Sequence, residues 1–157
     1  DFAHASTTGD CRALIISGPP GLGKSFTVEK VLKKWDPSGK QYIITKGYTR
    51  TTGLIRLLYA HRFENNVIVF DDSDTIFGDE DSLNILKAVC DTCEARTVSY
   101  RAETRMIDED SAELIPTSFP FDGTIVFLTN LDFDRMIEKG RVYLSTVVFT
   151  MLDTPAF

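Results

Sequence analysis

Gly18-Pro-Pro-Gly-Leu-Gly-Lys-Ser25 is the stretch that most constrains what this chain can fold into. It fits the pattern G-x-x-x-x-G-K-[ST], and its flanks are those the pattern requires. Ahead of it, Ala13-Leu-Ile-Ile16 is an apolar run long enough for a buried strand. Behind it, Val28, Val31, Leu32 and Trp35 fall at i, i+3, i+4 and i+7, the spacing of an amphipathic helix. Strand, glycine loop and helix in that order form a phosphate cradle. Glycines let backbone N–H groups converge on an anion, and the following helix turns its positive dipole end toward it. The pattern assigns Lys24 to the terminal phosphates and the Ser25 hydroxyl to Mg²⁺. The sequence therefore reads as a nucleotide-binding protein.

The 157 residues are enough for one domain, 1–157, with a single substantial core, and residues 1–11 read as a flexible polar arm. Hydrophobic residues make up 43% and charged residues 25%, the balance of a globular protein, and no run is long enough to span a bilayer. Because the chain opens on Asp1, it is expected to be a piece of a longer product, and three cysteines that cannot all pair, with a nucleotide fold, suggest a cytoplasmic one. A formal charge of −6 argues against a broad basic surface for nucleic acid, though not against a local one. Cys90 and Cys93 form a C-x-x-C without a second pair, and read as small core residues on a helix.

Along the chain, Gln41–Thr45 reads as a second strand, Leu54–Phe63 as a helix with two arginines and His61 on its polar side, and Ser82–Glu94 as a third helix. Val67-Ile-Val-Phe70 and Thr124–Thr129 are apolar throughout, as strands inside a parallel sheet are. Between them, Thr97–Tyr100 and Leu114–Phe121 bracket a charged turn region and suggest a hairpin-like excursion. A short helix over 132–138 and a last strand over Val142–Thr150 complete an alternating, three-layer α/β pattern.

Asp71-Asp72 closes the 67–70 run, and acids at the carboxyl end of such a strand face the ligand crevice. Mg²⁺ prefers oxygen ligands and keeps waters, which suits Asp71 as a partner to Ser25. Asp72 is the candidate for orienting or deprotonating a water aimed at the γ-phosphate, with Asp74 as the alternative. Asn130, ending the 124–129 strand, is positioned to hold that water or contact the γ-phosphate.

With its paired prolines, Gly18-Pro19-Pro20-Gly21-Leu22-Gly23-Lys24-Ser25, followed by Phe26, resembles the Walker A loop of AAA+ ATPases. Phe70-Asp71-Asp72 resembles their Walker B motif, and Leu128-Thr129-Asn130 their sensor 1 strand. The resemblance implies a P-loop NTPase core with a mainly parallel five-stranded sheet in the order 5-1-4-3-2. It also implies ATP with Mg²⁺ as cofactors, and a homo-oligomeric ring in which a neighbour's arginine completes each site. Arg141 resembles that arginine by position, with Arg135 as the other candidate. Lys46, Tyr48 and Arg50 stand where relatives line a central pore. The family usually carries glutamate where Asp72 stands. The chain ends at Phe157 soon after the first sensor, so the helical lid domain is expected to be absent from it. The expected activity is ATP hydrolysis that remodels a protein or nucleic acid. A nucleotide-gated binding module with little hydrolysis and a small nucleotide kinase are the competing readings. The arginines and lysines around the second helix (Lys46, Arg50, Arg56 and Arg62) lean toward nucleic acid.

Overall fold

In the computed structural model, residues 13–19, 21, 23–47, 50–90, 96–101, 106–130 and 147–150 are described, without the side chains of Asp74, Phe77 and 147–150. Five strands form one parallel sheet: β1 (Ala13–Ser17), β2 (Tyr42–Lys46), β3 (Val67–Asp71), β6 (Thr124–Thr129) and β7 (Val147–Thr150). Their spatial order is β2-β3-β6-β1-β7. β1 and β6 are buried along their whole length, and β3 up to its terminal Asp71, whereas β2, at an edge, is only half-buried. Uninterrupted apolar runs therefore take the centre of the sheet, where both faces need cover.

The pleat sends alternate side chains to opposite faces, giving two cores. On one face Leu14, Ile16, Val67, Val69, Val126 and Leu128 pack under Val28 and Leu32 of helix α1 (Lys24–Trp35). Burying those two side chains contributes about 1.5–3 kcal/mol each. On the other face Ile15, Ile68, Phe70, Ile125 and Phe127 meet helices α2 (Thr51–Ala60) and α3 (Glu80–Val89). The Phe70 and Phe127 rings stack there with centroids 5.3 Å apart. Helices thus cover both faces of a parallel sheet.

Several element boundaries differ from the sequence reading, each for a local reason. α2 begins at Thr51 and ends at Ala60, because Arg50 is extended and His61 leaves helical geometry. α3 begins two residues early, where the Asp79 carboxylate caps it by accepting from the Ser82 N–H. It stops at Val89, and Cys90 is buried in the core; Cys93 lies outside the described residues. A 3-10 turn over Asp74–Gly78 fills the acidic stretch after β3. His61 is half-buried, and its Nδ1 is buried without a hydrogen-bond partner among the described residues.

β4 (Thr97–Ser99) and β5 (Ser118–Pro120) pair antiparallel, and an Ile107–Leu114 bridge lies further out along the same excursion. Buried Arg96 fastens its base, donating to the Val89 and Gly123 carbonyls at 2.9 and 3.0 Å. Among the described residues no helix is long and apolar enough to cross a membrane. The arm at 1–11, the helix expected over 132–138 and residues 142–146 of the last strand lie outside the description.

Candidate phosphate site at the carboxyl edge of the sheet

The parallel register brings the ends of β1, β3 and β6 level. Ser17 pairs with Thr129, and Asp71 with Leu128. Backbone bonds then knit the segments leaving those ends: Gly18 N–H donates to the Thr129 carbonyl and Asp72 N–H to the Leu128 carbonyl, both at 3.2 Å. The glycine loop, the paired acids and Asn130 therefore leave one edge side by side. This is the edge at which open α/β sheets bind ligands.

Gly21 and Gly23 have φ of 85° and 76°, a left-handed backbone that glycine adopts without a Cβ penalty. Gly23 is the N-cap of α1, offers no side chain to the helix N–H groups, and no acid stands in the first turn. The positive end of the helix is left to an anion. Lys24 is buried, and its ammonium donates to the Gly18 carbonyl at 2.8 Å, the Pro19 carbonyl at 2.9 Å and the Asn130 Oδ1 at 2.9 Å. The last of these joins two residues 106 apart in sequence.

Ser25, in the first turn of α1, and Asp71, at the end of β3, are half-buried; Asp72, Asn130 and Phe26 are exposed. Phe26 is 72% exposed, so it is free to meet a ligand but fills no core position. Among the described residues no three His, Cys, Asp or Glu side chains assemble a metal site. One hydroxyl and one carboxylate fit Mg²⁺, which completes its shell with waters and phosphate oxygens. Asp72 has φ 54°, so the chain reverses sharply right after Asp71. Asp74 opens the 3-10 turn, but its side chain lies outside the description.

That turn leads to a polar contact the sequence reading missed. The Asp79 Oδ2 accepts from the Ser82 hydroxyl and the Thr51 hydroxyl, both at 2.6 Å, tying the start of α3 to the start of α2. These bonds, Ser82 first, hold its carboxyl below the ordinary carboxylate range. The capping pattern Asp79-x-x-Ser82 was visible in sequence, but Thr51 comes from another helix.

Lys46 and Arg50 are exposed near the same edge, where Gly47 N–H donates to the Asp71 carbonyl. Arg56 stands within 3.8 Å of Glu109 on the surface. Arg62, past the far end of α2, stacks over Tyr59 and Phe63 at 3.9 and 4.3 Å and donates to the Tyr59 carbonyl. Of these four cations only Arg56 lies within α2 itself; Lys46 and Arg50 precede it and Arg62 follows it. Pro20, Leu22, Tyr48, Arg135 and Arg141 lie outside the described residues.

A parallel α/β domain with a glycine loop between β1 and α1 defines the class as a P-loop protein. Residues 14–108 match the model of AAA, the ATPase family associated with various cellular activities, over more than half of the chain. The chain belongs to that family. It is also 40% identical over 133 residues to an uncharacterized 36.7 kDa protein from the nrdC-mobD intergenic region of Enterobacteria phage T4. That alignment covers 84% of this chain and 40% of the phage protein, so the chain spans less than half of its relative. Among solved structures, NtrX from Brucella abortus, crystallised in complex with ATP, is similar with a TM-score of 0.51. At 13% identity, over 96% of this chain and 33% of NtrX, this similarity is one of fold.

Proposed function

We propose that this chain is the nucleotide-binding core of an AAA+ ATPase, binding ATP with Mg²⁺ and hydrolysing it to remodel a protein or nucleic acid. The observation that carries the reading is the meeting of Lys24 and Asn130 at the uncapped start of α1. The order of the described strands, β2-β3-β6-β1-β7, supports the reading.

In this reading the Gly21–Gly23 backbone and the first-turn N–H groups hold phosphate oxygens, and Lys24 neutralises their charge. Phe26, exposed one residue past Ser25, offers an apolar face to the nucleoside. Ser25 and Asp71 would hold Mg²⁺, which when bound would shield the phosphates and draw electron density from them. Asp72 orients a water and takes up its proton, and Asn130 fixes that water or the outermost phosphate. A neighbouring copy in a homo-oligomeric ring supplies an arginine, Arg141 or Arg135, and Lys46, Tyr48 and Arg50 face the remodelled polymer.

A second reading, a nucleotide-gated module that hydrolyses little, is favoured by Asp72 itself. Its carboxyl is one methylene shorter than the usual glutamate, and it must reach the water from an exposed, reversed position. Turnover by the wild type and by Asp72→Asn and Asp74→Asn variants decides between them. Loss of turnover in Asp72→Asn, with ATP still bound, supports Asp72 as the base. Survival there with loss in Asp74→Asn moves the assignment two residues along. A wild type that binds ATP without measurable turnover leaves the gated module.

A further inference from the structure

Among the described residues the Lys24 ammonium has three acceptors within 2.9 Å, as many as its N–H donors: the carbonyls of Gly18 and Pro19 and the Oδ1 of Asn130. A phosphate oxygen that binds Lys24 must therefore displace one of them. The Gly18 carbonyl belongs to a loop residue whose N–H is fastened to the end of β6, and the Pro19 carbonyl follows directly in the same loop. The Asn130 amide is an exposed side chain that can turn away about its own torsions.

We propose that Asn130 is a positioning residue that competes with phosphate for Lys24, a latch that any nucleotide must open before the lysine can engage it. The proposal deepens the ATPase reading and rests on it. It separates two roles for one residue: contact with the outermost phosphate affects only ATP, whereas release of Lys24 is required by ADP as well. Removing the amide should then improve ADP binding while giving ADP nothing in exchange.

The test is calorimetric titration of ADP with Mg²⁺ into the wild type, Asn130→Ala and Asn130→Ser, with Lys24→Ala as the blank. The net worth of an ordinary hydrogen bond predicts ADP affinity roughly three- to tenfold tighter in Asn130→Ala. Asn130→Ser, whose hydroxyl is too short to hold the bond, should shift the same way and decides the matter if the alanine variant does not fold. Tighter binding is a direction that damage to the fold does not produce. Unchanged or weaker ADP affinity in the folded variants overturns the latch while leaving the nucleotide site intact. A wild type that binds ADP no better than Lys24→Ala overturns the ATPase reading and the latch with it.

Discussion

Asp72 takes up a left-handed backbone, a conformation that Asn and Asp reach more easily than other residues carrying a Cβ. That makes Asp72→Asn a clean probe of chemistry: it keeps the backbone and removes the charge. We expect Asp72→Asn to fold and bind ATP as the wild type does, and Asp72→Val to lose about 1–2 kcal/mol of stability in urea titrations. Equal stability of the two would mean that the reversal after β3 is relaxed in solution. His61 makes a separate prediction. Burial holds its folded-state pKa below the ordinary 6.5, opposed by the Leu57 carbonyl and by Asp110. The unfolded chain therefore takes the proton first, so stability is complete above pH 6.5 and declines as pH falls through that value toward the folded pKa. Asp36 and Asp79 are held below 3.8 by hydrogen bonds, so their contributions fade only in more acidic solution. Urea midpoints measured between about pH 7.5 and 5.5 should slope down in the wild type and flatten in His61→Leu. A slope equally steep in the variant would assign it to other groups.

The elements show why part of the architecture is legible in sequence and part is not. Ala13-Leu-Ile-Ile16, Val67-Ile-Val-Phe70 and Thr124–Thr129 announce buried parallel strands because no polar residue interrupts them. The apolar period of α1 is equally plain, and Asp36 ends it by accepting from the Ser38 and Gln41 N–H groups. The start of α3 is set by the Asp79 cap, and that of α2 by an extended Arg50 with no side-chain cap, which no apolar period marks. Gly123 shows the same limit. A Cβ there would stand 2.6 Å from the His61 carbonyl oxygen and 3.1 Å from that of Asn66, both backbone, a crowding no sequence pattern announces. Gly123→Ala should therefore cost about 1–3 kcal/mol, read from urea unfolding. No loss would show that the α2–β3 loop yields easily.

At the scale of the whole molecule, the site is assembled by register. Three motifs far apart in sequence become neighbours because β1, β6 and β3 lie side by side and end level. Their identity and order were readable in advance; the bond from Lys24 to Asn130 was not, since it depends on where two strand ends meet. If a neighbouring copy completes the catalytic site, ATP turnover per chain should climb with protein concentration, while ATP binding by a single chain should not. A specific rate independent of concentration would place all catalytic groups within one chain. Whether the loop around Lys24 binds nucleotide is decided by calorimetry of ATP with Mg²⁺ against the wild type and Lys24→Ala. One site per chain is expected in the wild type and at least about a tenfold loss in the variant, as removal of a charge-assisted phosphate contact requires. Equal affinity in the two proteins would contradict it.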